Sequence, residues 1–243
     1  MLLSHFNNGY TGIRSKDHSM NLLARAYRSS LGKKYIMAIT GLLLFLFVIV
    51  HMAGNLQVFI GRDAVNAYAA LLKSKPALLW TARAGLFIVA VLHIFSALQL
   101  AAENRAARPE AYAEGKPIAT YAARTILVSG LIILAFVVYH LMHFTFGVTN
   151  PEFMEMHDGA GRHDVYRMVV DAFRNPWVSV FYIVSMGLLC LHLSHGVSSL
   201  FQSLGIRRGT TLDAFNRFAQ ISAIVIFIGN CSIPISILAG VVK

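Results

Sequence analysis

The sequence predicts an all-α membrane protein, a bundle of five transmembrane helices, and three observations carry that expectation. Of 243 residues, 56% are hydrophobic and only 13% charged, with a mean hydropathy of +0.61, whereas a soluble domain carries about a quarter charged residues. Five stretches contain no Asp, Glu, Lys or Arg: Tyr35–Gly61, Ala84–Ala102, Thr125–Pro151, Trp177–Ile206 and Phe218–Val242. Each is near or above the roughly 20 residues that cross a hydrocarbon core as a helix. Six of the ten histidines lie inside four of these stretches. The apolar excess alone excludes a soluble enzyme, because no water-facing surface accommodates it.

Residues 1–34 form a polar, basic tail with no early apolar core, so a cleaved signal peptide is not expected. Within it, Asn21–Arg28 mixes Leu22, Leu23 and Tyr27 with Arg25 and Arg28, a composition suited to the membrane surface. Residues 35–243 read as one membrane domain without internal repeats. The connections Arg62–Arg83 and Glu152–Pro176 are long enough to hold short surface helices. Thirteen Lys and Arg fall in the tail, Glu103–Arg124 and Gly205–Arg217, against eight on the other side. The positive-inside rule then puts the N-terminus in the cytoplasm and the C-terminus outside. The net charge of +10 belongs to this asymmetry, and nucleic acid is not an expected partner. Cys190 and Cys231 both lie in apolar spans and form no thiolate cluster, disulfide framework or C-x-x-C-H haem attachment. Pro234 is the only proline well inside a span and predicts a kink there.

His5, His18, His157 and His163 lie outside the spans and read as solvated side chains. The first span holds His51, the second His93, the third His140 and His143, and the fourth His192 and His195. Ionisable residues inside a membrane are costly and point to function by default. At a rise of about 1.5 Å per residue, His51 lies ~25 Å above Lys34 and His140 ~24 Å above Arg124. In the antiparallel spans, His93 lies ~20 Å below Trp80 and His192 ~22 Å below Trp177. The four histidines therefore form two level pairs, His51/His140 and His93/His192, about 15 Å apart in height.

Two level imidazoles on facing helices supply both axial nitrogens of a six-coordinate haem iron, and bundle cores are where such sites are built. The expectation is a bundle enclosing two haems of the b type, with iron held by His51, His140, His93 and His192. With both axial positions filled, such a haem carries electrons and does not activate oxygen. Small residues one turn away (Gly54, Ala97 and Gly196) leave room for a flat macrocycle. A zinc site wants four ligands close together, which two separated pairs do not offer. His143 and His195 lie one turn from His140 and His192. They either touch haem propionates or a quinone, or make polar contacts at the interface, and His143, ~28 Å up, is too high to be level with His51.

The residues around these histidines resemble a family. Val50-His51-Met-Ala-Gly-Asn55, Leu92-His93-Ile-Phe-Ser-Ala97, Gly130 ten residues before His140, and His192-Leu-Ser-His-Gly196 are similar to the cytochrome b membrane anchor of succinate dehydrogenase and fumarate reductase, in its single-subunit, five-helix, two-haem form. The resemblance covers roughly residues 30–240. It implies His51 and His140 on the distal haem and His93 and His192 on the proximal one, the pairing that depth also gives. It further implies a flavoprotein subunit that oxidises succinate and an iron–sulfur subunit docked on the cytoplasmic face. Electrons would pass through this chain to a membrane quinone, ubiquinone or menaquinone, in the bacterial cytoplasmic (inner) membrane, as in respiratory complex II. The chain departs from some two-haem members in having all eleven acidic residues outside the charge-free spans, which leaves transmembrane proton coupling without a carboxylate.

Several residues at span edges are further candidates. Ser29, Ser30, Lys33 and Lys34 stand where the first helix begins and could line a quinone pocket or serve in helix capping and headgroup contact. Arg83 and Arg124 either pair with propionates or snorkel to headgroups. Two rival functions share the pattern. One is a two-haem anchor of a hydrogenase or formate dehydrogenase. The other is a transporter using histidine as a proton relay, against which stands the lack of broken helices.

Overall fold

The computed structural model describes residues 29–107, 121–206 and 209–243, with the side chains of 121–124 and 210 not described. The tail with Asn21–Arg28, His5 and His18, most of the Glu103–Arg124 connection, and the Arg124 side chain therefore lie outside the described residues. Among the described residues the chain is helical, with a lone bridge between His157 and His163. Its helices are α1 (Ser30–Asn55), α2 (Arg62–Lys73), α3 (Pro76–Ala106), α4 (Tyr121–Phe144), α5 (Val165–Arg174), α6 (Pro176–Ser203) and α7 (Leu212–Leu238). Five of them, α1, α3, α4, α6 and α7, are long and apolar enough to span a membrane, so the chain is a multi-pass membrane protein.

Local chemistry sets the helix ends. Ser29 accepts the Gly32 N–H at 2.9 Å and caps α1 ahead of the charge-free window. Pro76 and Pro176 open α3 and α6, where a missing N–H costs nothing. Asn175 accepts from Trp177 N at 3.0 Å. Gly205 and Gly240, at φ 74° and 70°, let the chain leave α6 and α7 in the left-handed region. Two spans differ from the windows read off the sequence. Helix α3 runs past both edges of Ala84–Ala102, with Arg83 two turns inside its start and Glu103 and Arg105 in its last turn. Helix α4 stops at Phe144 rather than running to Pro151, because the chain turns at Gly147 (φ 62°). The expected short helices in the long connections are present as α2 and α5, with a 3-10 turn at Pro151–Glu155.

The spanning helices pack as a square with a fifth helix against one side. Helix α1 packs closely on α3 and α6, α6 on α4, and α3 touches α4 more lightly, while α7 lies against α6 and α1. The diagonals α1–α4 and α3–α6 have almost no backbone approach. Outward positions are apolar and exposed, for example Leu78, Phe87, Ile221 and Trp177, the last at 81%, as lipid contact requires. Gly229 on α7 admits the buried Met52, since a Cβ there would collide with its Sδ.

Polar contacts tie the two ends. At one, Lys33 of α1, buried, pairs with Glu103 of α3. At the other, α2 and the α5 segment are joined through Asp164 and Asn66, both fully buried. Arg62 pairs with Asp164, and Asn66 Nδ2 donates to Asp164 at 2.9 Å and Asp158 at 3.1 Å. Asn66 Oδ1 accepts from Tyr166 N at 3.0 Å, and Arg162 donates to both Asp158 and Asp63. Beneath lies an apolar cluster including Val58, Val65, Phe136, Phe173, Tyr182 and Ile233. His163, expected to be solvated, is half-buried, and burial and then Lys73 lower its pKa.

Burial opposes the charge on Asp158, but hydrogen bonds from Arg162, Asn66 and Ala160 outweigh it and hold the carboxyl at about 2. Asp164 is lowered in the same sense, burial being overcome by Arg62 and Asn66. Carboxyls depressed in the folded state stabilise it above their unfolded pKa of about 4 and lose that contribution as pH falls through the folded value. The melting temperature of the detergent-solubilised chain is expected to be flat above about pH 5 and to fall between about pH 4 and 2. Arg62→Ala, which leaves the buried Asp164 carboxylate to Asn66 and the Arg167 N–H, is expected to lower the melting temperature; a melting temperature insensitive to both changes contradicts this role.

Candidate haem-binding site

The diagonals of the square are filled by histidines. His51 of α1 faces His140 of α4 with ring centroids 5.8 Å apart and planes at 88°. His93 of α3 faces His192 of α6 at 6.5 Å and 67°. A metal held by one imidazole nitrogen on each side at about 2 Å sets ring centroids roughly 6 Å apart, which both spacings fit. His51 is exposed and the other three rings are partly exposed.

Each ring of the second pair rests on a hydroxyl–glycine step of a neighbouring helix. Thr40 Oγ1 donates to Ile36 O at 2.7 Å, and its lone pair faces His93 Nδ1 at 3.2 Å. Ser129 Oγ donates to Ile126 O at 3.0 Å and faces His192 Nδ1 at 3.2 Å. With the hydroxyl proton already committed, Nδ1–H must donate, and the lone pair of the neutral ring is left on Nε2. That is the tautomer a metal-binding imidazole needs, fixed by an outer partner. The adjacent glycines let the rings approach: a Cβ on Gly41 would lie 3.2 Å from His93 Cε1, and one on Gly130 3.4 Å from His192 Cε1.

Aromatic rings hold the first pair. His51 stacks on Phe47 at 5.3 Å, and His140 lies between Phe136 and Phe144. The Tyr182 hydroxyl stands between His143 Nδ1 at 3.0 Å and His140 Nδ1 at 3.4 Å. Donation from His140 to the phenol oxygen, and from the phenol to His143, satisfies all three groups and again frees Nε2 of His140.

The remaining candidates take other positions. His143 is 1% exposed and packed among Tyr139, Phe144, Phe153 and Tyr182. His195 meets Ser199 Oγ at 3.1 Å. Arg83 is exposed and lies over the Trp80 ring at 5.2 Å. Ser29 caps α1, Ser30 and Lys34 are exposed, and Lys33 is turned into its ion pair with Glu103. The space at Gly54 is taken by Tyr68, a Cβ there meeting its ring at 3.1 Å, whereas a Cβ on Gly196 would meet nothing. Thr40, Ser129 and Tyr182 escaped the sequence reading, although the shared Thr-Gly and Ser-Gly steps were a visible signal.

In comparisons with known proteins, the chain matches no family model, no curated protein and no solved structure.

Loss of an outer partner to a ligating histidine typically weakens metal binding about 10–100-fold. Were each pair to hold a haem iron, Thr40→Val with Ser129→Ala would therefore be expected to release haem from the His93/His192 pair under mild denaturant and to leave the His51/His140 pair loaded. Haem per chain after gel filtration measures this, and equal loss from both pairs contradicts the assignment of the hydroxyls.

Proposed function

We propose that this chain is the two-haem cytochrome b anchor of a succinate:quinone oxidoreductase, passing electrons between an iron–sulfur subunit and membrane quinone. The observation that supports it most is the pair of imidazole couples on the diagonals of one helix square, each spaced for a single iron. Two haems of the b type, on His51/His140 and His93/His192, would supply one-electron carriage across the bundle. The four histidines would hold the two groups, with Thr40, Ser129 and Tyr182 orienting their rings and the apolar helices excluding water.

The choice of succinate dehydrogenase among quinone-linked enzymes rests on the sequence around the four histidines. The excess of Lys and Arg favours a cytoplasmic N-terminus in a bacterial inner membrane. Docking of the iron–sulfur and flavoprotein subunits would then fall at the Lys33–Glu103 end, nearer the His93/His192 pair.

A reduced-minus-oxidised spectrum with a haem assay tests the reading. Two b-type haems per chain are expected, one in His93→Ala and one in His140→Ala. Steeply crossed imidazole planes, 88° and 67°, are expected to give strongly anisotropic low-spin signals in the EPR spectrum of the oxidised protein. Wild-type protein that binds no haem contradicts the proposal and favours a proton-relay transporter. A purified complex containing flavin supports the succinate assignment, and one containing nickel or a metal–pterin overturns it in favour of a hydrogenase or formate dehydrogenase anchor.

A further inference from the structure

A cleft of about 450 Å³ opens at the α5 end of the molecule, apart from both histidine pairs. Its rim carries Arg62, Arg167, Arg174 and Lys243, half of the eight basic residues assigned to that side of the chain. Their gathering in one place is not what a scattered solvated surface gives. Arg167 and Arg174 lie seven residues apart, two turns along one face of α5. Asp171, between them, accepts one N–H from each, at 3.3 Å and 3.0 Å, and is the only side-chain carboxylate on the lining among the described residues. Each guanidinium has five donors, so most of their capacity and one net positive charge are left over. Arg62 is balanced by Asp164. Tyr166 donates to Lys243 O at 3.1 Å and holds that segment over α5. Val170, buried at 2%, floors the cleft.

The start of α6 fixes the level of the cleft in the membrane. Trp177, three residues after Arg174, is 81% exposed, and Val180, Phe181 and Val184 continue an exposed apolar face down α6. Charged rim, exposed Trp and apolar face in that order mark the headgroup layer of a bilayer. Arginine forks suit phosphate oxygens.

We propose that this cleft binds a phosphate group through Arg167 and Arg174, carried by an anionic lipid headgroup or by a free phosphate. The site does not depend on haem. Native mass spectrometry of the full chain in detergent, titrated with phosphatidylglycerol, phosphatidylcholine or inorganic phosphate, tests it. Wild type is expected to favour phosphatidylglycerol over phosphatidylcholine, and Arg167→Gln with Arg174→Gln to lower its binding about 30-fold. Asp171→Asn removes the competing carboxylate and is expected to bind at least as tightly as wild type, which a purely structural ion pair would not do. Displacement of the lipid by millimolar inorganic phosphate assigns the site to free phosphate, and resistance to displacement assigns it to the headgroup. Equal phosphatidylglycerol binding by wild type and the double variant, weaker binding by Asp171→Asn, or no binding of either probe overturns the proposal. If the double variant fails to fold, the Asp171→Asn comparison decides alone.

Discussion

Four imidazoles meeting across the diagonals of a helix square set the terms for the rest of the structure. Between apolar helices, a polar ring is tolerated only where its nitrogens have partners. At His93 and His192 the same solution appears twice, a hydroxyl whose proton is spent on its own helix and a glycine that lets the ring lie close. One such step is on α1 and the other on α4, and they serve rings arriving from α3 and α6. At the other level, the Tyr182 hydroxyl meets Nδ1 of His140, while Phe47, Phe136 and Phe144 pack against the two rings. At His93, His192 and His140, Nδ1 is engaged by the protein, which leaves Nε2 for a ligand.

Keeping two rings level requires that four helices not slide. A shift of one residue moves a histidine about 1.5 Å along its helix and about 100° around it. The ends of the bundle supply the restraint. Lys33 and Glu103 pin α1 to α3 at one end, and the buried Asn66–Asp164 junction pins α2, directly after α1, to the segment between α4 and α6 at the other. Helix α7 carries no histidine and fastens the square from outside, its Gly229 admitting Met52, the residue next to His51. The short helices are thus the fixtures that hold the register of the spanning ones.

Much of this was legible in the sequence because a membrane imposes a ruler. Five apolar windows matched five spans, and counting residues from Lys34, Arg124, Trp80 and Trp177 brought His51 level with His140 and His93 with His192, where the structure has them facing. The windows erred where charge did not mark the helix end. Capping at Ser29 and Pro76, and the turn at Gly147, are local backbone effects that hydropathy does not register. What depth could not reveal is which neighbour touches a ring, since that depends on rotation about each axis. Thr40, Ser129 and Tyr182 were therefore missed, and Gly54 was read as room for a flat group when Tyr68 fills it. The Asn66–Asp164 junction joins residues about a hundred positions apart, beyond the reach of any local pattern.

The most direct measurement is a cryo-electron microscopy map of the chain purified from its native membrane. A flat density is predicted between His51 and His140 and another between His93 and His192, each with its metal bonded to Nε2 on both sides and with Thr40 and Ser129 on the opposite nitrogens of the second pair. Imidazoles packed ring on ring with nothing between them, or joined to each other by hydrogen bonds, would contradict the account.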